Sequence, residues 1–180
     1  MTLLSKDVAL GRNLGAQDSA KFSSNNSDLT RIMVFGTFDI VHPGHRDFFS
    51  QARKLAKKPF LIVSIARDKN VLRIKGRRPS KNQFERRILV QSAPEVDKAV
   101  VGGYRDHIPH ILKESPQIIA IGYDQVAYVK GLKTLLASKG LKVRIVKLKA
   151  YKPHLYKTSI ISKRQAASEK IKSAPSKSRR

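Results

Sequence analysis

The strongest constraint on the fold is a regular alternation of short apolar runs with helix-like segments. The apolar runs are nearly continuous and have the length of buried strands; they lie at 32–35, 60–66, 99–101, 118–122 and 143–148. Helical segments are predicted between them at 44–58, 82–92, 106–114 and 125–139. A basic, proline-containing stretch at 69–81 is predicted as a loop. Continuous apolar strands joined by helices are typical of a parallel sheet covered on both faces. We therefore predict one α/β domain, a doubly wound (Rossmann-like) parallel sheet of about five strands.

The two ends of the chain differ in composition from its middle. Residues 1–30 include a stretch rich in Ser, Asn, Gly and Asp without apolar periodicity, which is typical of a flexible leader. Residues 164–180 are read as a basic tail. A nucleic-acid-binding arm remains an alternative for that tail, although its composition favours a solvated segment. The folded domain is accordingly expected at 31–163.

Two absences limit the class of protein. The chain has no cysteine, which excludes disulfides, cysteine-ligated metal and thiol catalysis. No apolar run approaches the roughly 18 residues that span a bilayer, and the first residues lack the apolar core of a secretory signal. We expect a cytoplasmic protein that does not act at a membrane.

The formal net charge of +24 favours a partner that carries phosphate. Residues 1–30 hold three basic and three acidic side chains, and residues 164–180 hold six against one. The remaining 28 basic and nine acidic residues lie at 31–163, a net +19. Most of the excess therefore belongs to the folded domain and not to the tail.

The clearest chemical motif is GTFDIVHPGH at 36–45, between the first strand and the first helix. Gly36 and Gly44 permit close approach of a ligand to the backbone. The helix that begins here offers free N–H groups and a positive dipole end to an anion. His42 and His45 flank that helix start and can donate hydrogen bonds to phosphate oxygens. The motif predicts a triphosphate site; a zinc site is the alternative, but no third ligand is evident.

This motif resembles the signature of the HxGH nucleotidyltransferase superfamily, which includes cytidylyltransferases and adenylyltransferases. Further matches follow in the same order up to about residue 163: ARD at 66–68, KGRRP at 75–79, ERR at 85–87, GYDQ at 122–125 and KTSII at 157–161. Within the superfamily the combination is most similar to archaeal-type FAD synthases, which are FMN adenylyltransferases. Residues 31–163 would then be the nucleotidyltransferase domain.

The resemblance implies that AMP passes from ATP to FMN by in-line attack at the α-phosphate, giving FAD and pyrophosphate. His42, His45 and Lys75 would be catalytic, with Lys75 on the mobile basic loop. Nucleotide and phosphate binding would fall to Gly36, Thr37, Phe38, Gly44, Arg86, Gly122, Asp124, Thr158 and Ser159. Asp39 would contact the acceptor substrate and is a candidate ligand for Mg²⁺ or another divalent cation that bridges the phosphates. The resemblance also implies a homodimer.

Several of these residues have a structural alternative. Asp39 can hold a turn, and Asp124 can cap the helix predicted at 125–139. Phe38 can belong to the core. Arg86 and Arg87 cannot both face the site, because neighbours on a helix point about 100° apart.

Two other functions stay open at this point. One is a CTP-dependent cytidylyltransferase that acts on glycerol 3-phosphate or phosphoethanolamine. The absence of tryptophan and the presence of Gln125 after Asp124 depart from what those relatives carry. The other is a nucleic-acid-binding protein on the same fold, for which affinity would fall steeply with salt.

Overall fold

A computed structural model describes residues 28–104, 106–123, 125, 131–152 and 154–156. Within them lies a five-stranded sheet in the order β3-β2-β1-β4-β5, with every pair of neighbours parallel. The strands are β1 (Thr30–Gly36), β2 (Pro59–Ile65), β3 (Lys98–Val101), β4 (Ile118–Ile121) and β5 (Arg144–Lys147). This confirms the predicted doubly wound α/β fold. The chain order runs outward in both directions from β1, so the carboxyl end of β1 is the switch point at which ligands bind in such sheets.

Helices cover both faces of the sheet: α1 (Pro43–Arg53), α2 (Asp68–Lys75), α3 (Gln83–Gln91), α4 (Ile108–Glu114) and α5 (Leu132–Ser138). One core layer includes Phe49 of α1 and Val90 of α3 against the sheet. The opposite layer includes Ile111 of α4 and Leu136 of α5. Since both faces are covered, the central strands have the continuous apolar sequence that predicted them. No helix in the described part of the chain is long and apolar enough to cross a membrane.

Two helices differ from the sequence prediction. The stretch predicted as a loop at 69–81 contains α2, of which only Asn70 and Val71 are buried. Because this helix has only eight residues, its apolar side chains Val71, Leu72 and Ile74 lie within one turn, which is too short a pattern to mark a helix in sequence. The helix predicted at 44–58 ends instead at Arg53. Pro59 begins the next strand and disfavours the helical conformation at Lys58, so a helix that runs to 58 is excluded there.

Other sequence predictions lie partly outside the described residues. Strand β1 begins at Thr30, one residue before the predicted start of the domain. The helix predicted at 125–139 is represented by α5 from Leu132 onward, and 126–130 lie outside the description. Residues 1–27 and 157–180, which include all but the last three residues of the predicted leader and the whole predicted tail, lie outside it as well.

Candidate functional site

A cavity of about 560 Å³ opens at the carboxyl edge of the sheet, in the size range of small-molecule sites. Its lining comes from the segments that follow each of the five strands. It brings together eight of the residues predicted from the motifs: Gly36, Thr37, Phe38, His42, Gly44, His45, Lys75 and Gly122. Asp124, Thr158 and Ser159 lie outside the described residues.

The two histidines of the motif form one unit at the start of α1. His42 is the N-cap residue in an extended conformation, and Pro43 follows at the first helical position. The rings of His42 and His45 stack with their centroids 3.7 Å apart. His45 Nδ1 lies 2.9 Å from the carbonyl oxygen of Ile40. A carbonyl only accepts, so Nδ1 carries the hydrogen and Nε2 is the ring atom left for a ligand.

Enclosure keeps both rings neutral in the free protein. Burial, with the nearby His42 and Lys75 acting in the same direction, lowers the pKa of His45 from 6.5 to about 3, although its hydrogen bond to the Ile40 carbonyl opposes this. Burial also lowers the pKa of His42. A neutral His45 with its hydrogen on Nδ1 presents Nε2 as an acceptor. The donor role predicted for His45 therefore requires a proton, which a bound anion would stabilise.

The two motif glycines leave space that a side chain would fill. A Cβ on Gly36 would lie 2.5 Å from the ring of Phe38. A Cβ on Gly44 would lie 3.1 Å from both the His42 ring and Tyr156 Cβ. A side chain at Gly36 would therefore displace the Phe38 ring, and one at Gly44 would crowd the His42 ring and Tyr156 at the helix start.

Phe38 has a place in the core as well as in the cavity wall. It is 3% exposed and packs on Phe49 with the ring centroids 5.3 Å apart. Its ring meets His45 edge-on at 5.0 Å. The structure thus supports the core alternative for Phe38, whose buried ring packs against the ring of His45.

Lys75 is the last residue of a helix and not part of a loop. Gly76 follows it in the left-handed conformation, with φ 67°, and ends α2. Lys75 Nζ donates to Thr37 Oγ1 over 2.9 Å, which places the ammonium beside the end of β1. The helix fixes the position from which this cation reaches the cavity.

Arg86 was predicted to bind phosphate, but the structure gives it a different position. Its side chain is fully buried and is absent from the cavity lining. The guanidinium donates to the carbonyl oxygens of Thr37, Ala66 and Lys81 and pairs with Asp68. It thereby ties the segments that follow β1 and β2 to the start of α3. Of the neighbouring residues Arg86 and Arg87, which cannot both face the site, Arg86 therefore has a structural role.

Asp39 is likewise held by the backbone. Its carboxylate accepts from the N–H of Ser80 at 2.8 Å and of Lys81 at 2.9 Å. Burial raises the pKa of Asp39, but these hydrogen bonds outweigh it and hold the pKa below the ordinary value. Asp39 is absent from the cavity lining. The structure supports the alternative that it holds a turn, and its acceptor and metal roles stay predictions.

Further residues of the lining were not predicted as site residues from the sequence. Near the ends of β2 and β3 they include Ser64, Asn70 and His107; near β4 and β5 they include Gln125, Tyr151 and Tyr156. Tyr123, which belongs to the GYDQ segment found in the sequence, lines the cavity as well. Gln125 accepts from Gly122 N–H and donates to the Phe35 carbonyl, so its amide links the ends of β4 and β1. Gly102 and Gly103 directly follow a predicted strand. Because ligands bind beyond the carboxyl ends of parallel strands, their position in the sequence was a sign that they line the site. Tyr151 and Tyr156 carry no comparable signal.

The neutral His45 ring predicts a loss of stability in mild acid. Between its ordinary pKa of 6.5 and its folded pKa of about 3, the unfolded chain binds a proton that the native state does not. The free energy of unfolding therefore falls as the pH falls, by up to about 1.4 kcal/mol per pH unit. We expect urea midpoints to decline from about pH 7 to about pH 4.5, and to decline less in His45→Gln. Equal slopes for the two proteins would contradict this.

Comparison with known proteins places the chain among described families. The family model described as cytidylyltransferase-like matches residues 33–173. An FAD synthase of Aciduliprofundum boonei is 41% identical over 123 residues, which cover 68% of this chain and 80% of that protein. An FAD synthase of Korarchaeum cryptofilum is 43% identical over 119 residues, covering 66% and 80%. A crystal structure described as the lipopolysaccharide core biosynthesis protein from Thermoplasma volcanium has a TM-score of 0.63 and 32% identity, covering 68% of this chain and 98% of that one.

Proposed function

The chain belongs to the cytidylyltransferase-like family, and on that premise we propose that it is an FMN adenylyltransferase, that is, an FAD synthase. The observation that carries the proposal is the 41–43% identity to archaeal FAD synthases over most of the length of those proteins. The cavity supports it because the HxGH histidines, Lys75 and the start of α1 all line one space of small-molecule size. Its substrates are ATP and FMN.

The reaction is a direct displacement at the α-phosphorus of ATP. A phosphate oxygen of FMN forms a new bond to that phosphorus as the bond to the β-phosphate bridging oxygen breaks. FAD and pyrophosphate are the products. No covalent enzyme intermediate is needed, so the task of the protein is to position two phosphorylated substrates and neutralise the charge between them.

His45 and Lys75 supply the charge. Bound phosphates place negative charge beside the His45 ring and raise its pKa, so Nε2 binds a proton and donates to a phosphate oxygen. The bond from Nδ1 to the Ile40 carbonyl holds the ring in orientation as this happens. Lys75 approaches from the end of α2, beside Thr37, and neutralises charge on the leaving pyrophosphate. The backbone N–H of Gly44 and the positive end of the α1 dipole act in the same direction.

The described residues do not build a magnesium site of their own. No three His, Asp or Glu side chains cluster within those ranges in a way that could hold a metal. Both oxygens of Asp39 already accept backbone hydrogen bonds. Magnesium binds readily through substrate phosphates with few protein ligands. We therefore assign it to the substrate, as the Mg²⁺ complex of ATP.

One assay tests the function against the cytidylyltransferase alternative. ATP or CTP is paired with FMN, glycerol 3-phosphate or phosphoethanolamine, and pyrophosphate release is followed together with the flavin product. We expect turnover with ATP and FMN alone, and FAD as the product. Turnover of CTP with a phosphoalcohol, and none with FMN, would overturn the proposal. The nucleic-acid-binding alternative is tested by salt. We expect the affinity for FMN to change little as the salt concentration rises, whereas affinity for a nucleic acid would fall steeply.

A further inference from the structure

The cavity has two flanks that differ in chemistry. Since β1 is central in the sheet, residues after β2 and β3 form one flank and residues after β4 and β5 form the other. His42, His45 and Lys75 lie between them. The first flank is lined by Ser64, Asn70, Ile74, Gly102, Gly103 and His107. Under the proposed function two ring-bearing substrates meet at the centre, and each flank is available for one ring.

The floor of the first flank is bare backbone beside a buried hydroxyl. Gly102 and Gly103 leave the chain without side chains where β3 ends. A Cβ on Gly102 would come within 3.0 Å of Ser64 Oγ, so the glycine keeps that hydroxyl open to the cavity. A flat ring can approach the backbone closely at such a place.

Ser64 does not act alone. Its side chain is 3% exposed, and its hydroxyl lies 3.0 Å from His110 Nε2 on α4. His110 itself is absent from the cavity lining, so it reaches the cavity only through Ser64. The pair therefore presents the Ser64 hydroxyl to the cavity, and the hydrogen bond with His110 orients that hydroxyl. A hydroxyl fixed in this way donates or accepts along a defined line, which suits recognition of a ring edge.

The other side chains of this flank are polar where they are buried in the cavity and apolar at its mouth. Asn70 is buried, and its Nδ2 donates to the Gly103 carbonyl, which holds the amide beside the same floor. Ile74 is 72% exposed and lines the mouth. The isoalloxazine ring has the same division, because its pyrimidine edge carries carbonyls and a ring N–H whereas its other edge is a dimethylbenzene.

The second flank has a different character. Tyr151 and Tyr156 stack with their ring centroids 5.7 Å apart, and Tyr123 lies at the end of β4. The Gln125 amide is engaged with the backbone of Gly122 and Phe35. Aromatic faces with few directed polar groups suit stacking of a purine ring. The division of chemistry assigns adenine to this flank and the flavin to the other.

We propose that Ser64, oriented by His110, hydrogen-bonds the pyrimidine edge of the flavin ring and selects the acceptor substrate. The inference rests on the proposed function and adds to it the part of the cavity that reads the acceptor. Ser64 is the contact residue and His110 is a positioning residue that acts through it.

The test is the affinity of the full chain for each substrate separately. Quenching of FMN fluorescence gives the dissociation constant for FMN without any turnover, and calorimetry gives that for ATP. We expect Ser64→Ala to weaken FMN binding about three- to tenfold, the loss of one neutral hydrogen bond, and to change ATP binding by less than about twofold. Ser138→Ala makes the same chemical change on the exposed side of α5, where Oγ bonds only the Leu135 carbonyl, and serves as the matched control.

A double-mutant cycle examines His110. Because His110 acts through Ser64, His110→Ala should weaken FMN binding in the native background and have little further effect in Ser64→Ala. Additive losses would overturn the positioning role. Native FMN binding that Ser64→Ala leaves unchanged, or a loss of ATP affinity instead, would overturn this inference alone. Failure of the native protein to bind FMN would overturn the proposed function as well.

Discussion

Replacing His45 with alanine should lower the turnover of FAD synthesis by a factor of about 10² to 10³. The imidazole lines the cavity with Nδ1 bound to the Ile40 carbonyl, so Nε2 is the ring atom available to a bound triphosphate, whose charge would change the ionisation of the ring. Alanine removes the donor and leaves the helix start and Lys75 in place. The loss should fall on kcat more than on the dissociation constants of ATP and FMN, because the charge to be stabilised is greatest in the transition state.

His45→Gln is the matched variant for this experiment. A glutamine amide can donate to the Ile40 carbonyl as the imidazole does, but it cannot take up a proton. Both variants should keep the native circular dichroism spectrum, since His45 lies at the edge of the core and not within it. Near-native turnover in both would remove His45, and with it the HxGH assignment, from the catalytic machinery.

The sheet could be predicted from the sequence because each buried strand is a short apolar run of consecutive residues. The central strands are buried on both faces, so Ile32, Ile62 and Ile119 lie in apolar runs that are nearly continuous, with Ser64 as the polar residue within β2. Helix α2 could not, because it is short and buries only Asn70 and Val71, while its apolar residues Leu72 and Ile74 are exposed. Its few apolar residues therefore do not form a pattern long enough to distinguish a helix from a loop.

The site divides in the same way. His42 and His45 lie in one contiguous motif, and a strand-to-helix junction brings their rings together wherever the fold forms. Ser64 and Tyr156 join them only through the arrangement of the sheet, which no short pattern records. The prediction that Arg86 binds phosphate was wrong because an arginine in a basic motif is typical of a phosphate site. The spacing of Arg86 from Val90, about one helical turn, pointed instead to the core. Residues four apart share a helix face, so the buried Val90 was the available sign that Arg86 points inward.

The net charge is not explained by the cavity. Among the described residues only Lys75 and Lys149 contribute Lys or Arg side chains to its lining. The basic cluster between Arg73 and Arg87, which sequence analysis would place at a triphosphate, is represented there by Lys75 alone. Several acids are already paired, with Glu114 bound by both Arg31 and Lys98. Among the described residues, the other Lys and Arg side chains therefore lie outside the cavity lining.

The second large effect should come from Arg86, and it should be an effect on folding. The side chain is fully buried, and its guanidinium satisfies the carbonyls of Thr37, Ala66 and Lys81 together with Asp68. Arg86→Ala leaves these acceptors and one carboxylate without their donor. Removing one partner from a buried ionic network costs about 3–5 kcal/mol. We expect the free energy of unfolding, measured by urea titration, to fall by that amount.

Two further variants decide what Arg86 does. Arg86→Lys keeps the charge but cannot form the planar fork that reaches several carbonyls at once, so it should recover only part of the loss. Arg87→Ala, one position along α3 and only half-buried, should change the stability by about 0.5 kcal/mol or less. Arg86 binds the Thr37 carbonyl and Lys75 donates to the Thr37 hydroxyl, so Arg86 also fixes the residue beside which Lys75, the proposed catalytic lysine, lies. An Arg86→Ala protein of native stability that fails to bind ATP would reverse this assignment and return Arg86 to the phosphate site.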